Sequence, residues 1–277
     1  MTTFFRRALS VFALSLAATS ALWAQEPINR KEDYNINPDR PSVAFAPNVV
    51  PVGAFQFETG YFWSRSNSRD IDAQQYEQTL PTITFRTGIT PRLEAIVGWN
   101  LASSRTVLGG VELENRIYSN ALTVGTRVAI IDKADGNIPQ LAFFAAVELP
   151  FTMPASLRRD ASPSAMMFFT GQNEWGKLTF FYNLGAYFYE ESDGLRTYMQ
   201  TDASVMAGIE YFPIKKFGFF AEAYNSMPFH NFRYRQAFDG GLMYVIKGRY
   251  LFDVGVGVEL DKYATTPFFT VGFSACL

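Results

Sequence analysis

Cysteine occurs once in the 277 residues, as Cys276, and histidine once, as His230. A single thiol excludes an intrachain disulfide framework, and one imidazole with one thiol offers no zinc constellation. Long apolar runs are missing as well. Beyond the N-terminus the longest strictly apolar stretch is Leu141 to Val147, far short of the roughly 20 residues that a spanning helix requires. Charge is scarce at 18%, with 24 basic against 26 acidic side chains. That balance gives no basic surface for nucleic acid. Intrinsic disorder is excluded by the 48% hydrophobic and 16% aromatic content, which such chains lack. No glycine loop is placed to cradle phosphate, since Gly240-Gly241 and Gly255-x-Gly257 fall inside strand-like segments. Residues Asp132 to Gly136 are too sparse in oxygen ligands for a calcium loop. No cofactor or metal is expected.

What is present begins with an export signal. Arg6 and Arg7 precede the apolar, small-residue-rich stretch Ala8 to Leu22, and Ala21-Leu-Trp-Ala24 is followed at once by polar Gln25-Glu26. This pattern reads as a cleaved secretory signal over residues 1–24. Residues 25–51 differ from everything after them: Pro27, Pro38, Pro41, Pro47 and Pro51 remove ladder donors and prevent a regular strand. This leader is either a periplasmic tail or a segment that folds back into a lumen. In the second case Asp39 and Arg40 form the plug, with Arg40 pairing to Glu58 or Glu94.

From residue 52 onward the period is two. Twelve segments alternate, over approximately 52–65, 76–89, 93–103, 120–131, 140–149, 165–175, 178–190, 197–212, 217–226, 234–246, 249–260 and 267–276. One parity is apolar, as in Leu178, Phe180, Tyr182, Leu184, Ala186, Phe188 or in Tyr250, Phe252, Val254, Val256, Val258, Leu260. The opposite parity carries glycine, asparagine and carboxylates. A soluble sheet buries its apolar parity, whereas a membrane barrel turns it toward lipid. Strands of about ten residues tilted by about 40° rise roughly 25 Å, the height of an outer-membrane apolar band. Connections alternate between short ones, such as Thr90-Pro91-Arg92 and Lys247-Gly248, and longer ones at 104–119, 150–164 and 227–233. That is the rhythm of periplasmic turns and external loops. Trp63, Trp99, Tyr189, Tyr211, Phe217, Tyr244 and Tyr250 lie near segment ends, where interfacial girdles form. The expected fold is therefore all-β: a closed antiparallel transmembrane barrel of about twelve strands over residues 52–277. Its partners are outer-membrane lipid, a small-molecule solute and the barrel assembly machinery of a Gram-negative envelope.

Parity assigns ten carboxylates to the lumen, namely Glu58, Glu94, Glu148, Glu174, Asp202, Glu210, Glu222, Asp239, Asp253 and Glu259, against two guanidinium groups, Arg86 and Arg127. An Arg or Lys facing lipid at mid-depth costs about 2–4 kcal/mol and a carboxylate less, so inward placement is favoured. The acidic excess points to cations or neutral polar solutes rather than anions; equally, these groups can pair and fill a closed interior. Phe144, Phe181, Tyr187, Tyr198 and Tyr224 share the inward parity and are candidate contacts for an aromatic solute, or plain filling. A closed structural or adhesion barrel, meeting a partner through loops 104–119 and 150–164, is the alternative. Lipid hydrolysis would need a Ser-His pair, for which only Ser226 and His230 are available, and nothing marks Ser226 as a nucleophile. No enzyme is expected.

A resemblance adds to this reading. Asp39-Arg40-Pro41, Val50-Pro51-Val52-Gly53, Gln56-Phe57-Glu58-Thr59-Gly60-Tyr61, Leu80-Pro81 and Arg86-Thr87-Gly88-Ile89-Thr90-Pro91-Arg92-Leu93-Glu94 resemble the outer-membrane family named for the meta-pathway of phenol degradation. The match covers residues 37–100 and fades afterwards to a general strand pattern, with a weaker echo at Asp253 to Gly257. It implies an outer-membrane barrel that passes small molecules.

Overall fold

The computed structural model describes residues 36–40, 43–119, 121–132, 136–150, 162–192, 197–229 and 234–277. The signal segment 1–24, leader residues 25–35 and His230 lie outside them. Among the described residues thirteen strands make one sheet: β1 (Phe55–Ser68), β2 (Ala73–Thr90), β3 (Leu93–Leu108), β4 (Val111–Ser119), β5 (Leu122–Ile131), β6 (Gln140–Leu149), β7 (Ser164–Trp175), β8 (Leu178–Ser192), β9 (Thr197–Ile214), β10 (Phe217–Pro228), β11 (Arg235–Ile246), β12 (Tyr250–Leu260) and β13 (Ala264–Cys276). β4 and β5 both pair with β3, one above the other, and together form a single span. The sheet thus has twelve spans, each antiparallel to its neighbours. It closes where β1 meets β13, from Gln56↔Cys276 to Ser68↔Ala264. Closure removes the unpaired edge that hydrocarbon could not solvate.

The two faces are inverted relative to a soluble protein. On the outside, Val256 is 64% exposed and Leu184 59%, and Phe55, Phe169 and Phe85 are likewise exposed. Inside, Gln56, Glu94 and Arg127 are each 0% exposed. The apolar parity faces outward toward lipid, and the polar parity faces a filled interior. Tyr211 and Tyr244 are exposed on the outer face as girdle residues would be. Tyr189 is not, because its hydroxyl donates to Asp202 inside the barrel.

The external connection expected over 104–119 is instead a hairpin. β3 continues to Leu108, and Gly109 and Gly110 turn at φ 56° and 80°. β4 then returns beside β3. Two consecutive positive φ values suit a tight hairpin turn, and glycine adopts them without a Cβ penalty. β1 and β2 also run past the apolar band, to Ser68 and from Ala73. Both faces are wet at that height, so the pairing persists while the hydrophobic period stops.

The opposite end carries the short turns and both ends of the barrel chain. Turns at Pro91-Arg92, Gly176-Lys177, Lys215-Lys216 and Lys247 to Arg249 lie there, and Phe55 exchanges backbone hydrogen bonds with Leu277. Ile36 donates to the carbonyl of Gly248 at the same end. From that point the leader enters the lumen. Ile36, Val50 and Ala54 join a buried cluster with Phe220, Met243 and Leu251, and Ala44 joins a second with Ile96, Phe144, Phe168, Phe181 and Met206.

Candidate functional site

Four adjacent spans bring charge to one place. β1 presents Glu58, β2 Arg86, β3 Glu94 and β5 Arg127, all on the inward parity and all buried. Arg86 binds Glu94 through Nε at 3.0 Å and Glu58 through Nη1 at 3.2 Å. Arg127 reaches Glu94 at 3.2 Å and takes both oxygens of Asp39 on Nη2, at 2.9 and 2.8 Å. The leader is threaded into this network by its backbone. The carbonyl of Asn48 accepts from Arg86 at 2.8 Å and from Arg127 at 3.1 Å, and that of Asn37 accepts from Arg86 at 3.2 Å. The amide of Val50 donates to Glu94 at 2.8 Å, that of Asp39 to Glu58 at 3.2 Å, and that of Ala46 back to Asp39 at 2.8 Å. Burial pushes the Asp39 carboxyl up, but Arg127 and Arg86 together outweigh it and hold the group below the usual aspartate range.

Arg40 does not pair with Glu58 or Glu94. Successive side chains of an extended segment point to opposite sides. While Asp39 faces β2 and β5, Arg40 faces β12 and β13, where Nη2 meets Asp253 at 3.3 Å and Thr270 at 2.6 Å. Glu58 and Glu94 are already held by Arg86 and Arg127. The guanidinium lies over Gly60 and Gly272, at positions that any Cβ would contest.

Deeper in the lumen Glu222 accepts from the amide of Val43 at 2.6 Å and from that of Ala44 at 3.4 Å. Asn183 bonds Phe45 in both directions: Phe45 N donates to Oδ1 at 2.6 Å, and Nδ2 donates to the Phe45 carbonyl at 3.0 Å. The Phe45 ring stacks on Phe144 at 4.3 Å and 25° and lies 5.2 Å from Phe168, which meets Tyr187 edge-on at 5.2 Å. Phe181 is buried in the same cluster, and Tyr187 and Tyr224 pack against it half-buried. Tyr198 stands apart, half-buried near the far end of the barrel, two residues before buried Gln200.

The remaining inward carboxylates are dispersed. Asp202 accepts from Tyr189 and Gln200 at 3.1 Å each and pairs with Arg235 at 3.0 Å. Glu148 accepts from Ser164, and Glu174 from Gln172. Asp239 lies directly across the β10–β11 ladder from Glu222. Glu210 and Glu259 are half-buried on β9 and β12. Between the leader and the wall, toward the short-turn end, is a cavity of about 880 Å³. It is lined by Asn37, Asn48, Gln140, Gln172, Glu174 and Glu210, with Lys215, Lys216 and Lys247 among the turn residues.

Parity alone supplied the wall residues of this site but not its occupants. Phe168 shares the parity of Glu174 on β7 and was readable by extending that strand. Phe45, Asn37 and Asn48 have no periodic signal, and Arg235, which pairs with Asp202, is a guanidinium that the parity reading does not assign to the lumen.

Comparison with known proteins agrees with this architecture. The COG4313 outer membrane channel from Pseudomonas putida F1 superposes with a TM-score of 0.68 at 12% identity, covering 87% of this chain and 100% of that one. The translocator domain of the autotransporter NalP from Neisseria meningitidis gives 0.52 at 10% identity, covering 80% and 88%. The β domain of the Bordetella autotransporter BrkA gives 0.53 at 10%, covering 81% and 100%. At such identities the likeness is one of fold. No curated protein sequence matches the chain. A family model does, over residues 38–276, a span that takes in the docked leader as well as all twelve barrel spans, and the chain accordingly belongs to the family described as "Putative MetA-pathway of phenol degradation".

Proposed function

We propose that the protein is an outer-membrane channel for small molecules whose lumen is narrowed by residues 36–51. The observation that carries this reading is the way the interior is filled. Residues 43–51 contribute no strand to the sheet and dock on side chains of the wall, beside a cavity of about 880 Å³ with polar and apolar lining. A barrel meant only to be solid would fill its centre from its own strands. The acidic lumen favours cations and neutral solutes, and the Phe144–Phe168–Tyr187 surface suits aromatic ones. The family's description and the channel from Pseudomonas putida F1 support the same reading. Planar-bilayer recordings test it: the full chain gives a small, cation-preferring conductance, and deleting residues 25–50 raises it severalfold. Unchanged conductance after the deletion refutes the narrowing role.

The protein acts on this reading without catalysis. Ser226 lies in β10, paired across the ladders with Arg235 and Ser204. Phospholipid hydrolysis by the purified protein, abolished in His230→Ala, would overturn that. One observation favours the second reading, a closed barrel with a binding role: the external hairpin leaves Val111, Leu113 and Ile117 more than 60% exposed. Silence of both the full and the leader-deleted chain across voltages would select it.

A further inference from the structure

We propose that the slot filled by the Phe45 ring is a binding subsite for a small neutral aromatic solute, and that solute and leader compete for it. The inference rests on the channel reading above and adds the site at which the two meet. The slot is built by strands that cannot leave. Phe144 forms its floor, 4.3 Å from the Phe45 centroid, and Phe168 its side at 5.2 Å, itself braced by Tyr187. Arg127 lies 5.6 Å from the Phe144 centroid on the same wall, which polarises that ring. Phe144 and Phe168 are buried, at 3% and 1% exposure, whereas Phe45 is only half-buried. It is the one ring of this stack whose backbone lies outside the sheet.

The rim is polar. Asn183 offers both an acceptor and a donor, now used by the backbone of Phe45. Glu222 offers carboxylate oxygens, now used by Val43 and Ala44. A ring bearing one hydroxyl can satisfy both requirements: its faces replace Phe45 on Phe144, and its hydroxyl donates to Glu222 or Asn183. An aromatic carboxylate is repelled by Glu222. The chemical class is therefore a single neutral ring with a hydrogen-bonding substituent. Because the free slot exists only while the leader is out, apparent affinity for the solute is reduced by the fraction of time the slot is empty.

The test uses the full chain in detergent with phenol as probe. By calorimetry Phe45→Ala binds phenol at least about tenfold more tightly than the unaltered protein, and more tightly than it binds cyclohexanol or benzoate. Phe45→Leu, which refills the slot without a ring, restores the weaker binding. In the unaltered protein, saturating phenol accelerates hydrogen exchange of the amides of residues 43–46. Equal phenol affinity in Phe45→Ala and the unaltered protein, equal binding of cyclohexanol, or unchanged exchange at 43–46 overturns the proposal. Bilayer recordings of Phe45→Ala separate the two readings. A conducting variant that ignores phenol removes the subsite and keeps the channel, whereas a silent variant that binds phenol keeps the subsite and removes the channel.

Discussion

Arg127 holds three partners that belong to different parts of the chain: Asp39 and the carbonyl of Asn48 on the leader, and Glu94 on the wall. Removing one member of a buried ion network leaves its counter-charges without solvent, which costs about 3–5 kcal/mol. Arg127→Met should release the leader, seen as protease cleavage within residues 36–51 under conditions where the unaltered protein resists. Adding Asp39→Asn to that variant should cost less than Asp39→Asn alone, since the orphaned charge is then gone. Acid acts on the same contact. Asp39 is depressed when docked, so docking favours the carboxylate; this contribution is complete above the free value of about 3.9 and is lost as pH falls through the depressed one. The facing charges are Arg127, Arg86 and Glu58. The Asp39 share of docking should therefore be lost below about pH 4, read as protease cleavage within residues 36–51 that increases there in the unaltered protein and not in Asp39→Asn. At this scale the sequence told which side chains point inward, because the pleat alternates, but not which pair. Arg40 and Asp253 are separated by 213 residues, and only closure of the barrel brings them together.

Individual strands were the most legible level. A medium that is apolar on one side and polar on the other imposes a period of two, and twelve spans could be delimited from it. Legibility ended where the medium changed. Above the apolar band β3 loses its hydrophobic contrast from Ala102 to Thr106, which hides the Gly109-Gly110 hairpin, although in β4 Val111, Leu113 and Ile117 still alternate with Glu112, Glu114 and Arg116. This difference yields two expectations. Val256→Arg, at mid-strand on the lipid face, should destabilise folding into vesicles by about 2–4 kcal/mol in equilibrium denaturant titration. Excising residues 104–117 and rejoining the chain through a glycine turn should leave an assembled barrel, with the folded band in unheated gels retained. Gly88 marks a further boundary between strand and leader. A Cβ there would strike the backbone of Val50 and Pro51, so Gly88→Ala should loosen the leader without altering any charge, read by the same protease cleavage.

Across the whole molecule the interior keeps its acidic excess even after Arg40 and Arg235 are counted. Glu222 and Asp239 face each other over one ladder, and cations crossing at that depth are drawn by both. Neutralising the pair as Glu222→Gln and Asp239→Asn should shift the reversal potential toward zero in a salt gradient, and an unchanged potential would place selectivity elsewhere. The path of the leader has one more consequence. Ile36 is tied to Gly248, and Ala54 leads into Phe55 beside Leu277, all at a single mouth, while Val43 to Phe45 reach only to mid-depth. The segment is a bight, like a loop of rope lowered into a well with both ends kept in hand. It can be hauled out without threading anything past the distant rim, and no wall strand needs to part for the way to clear.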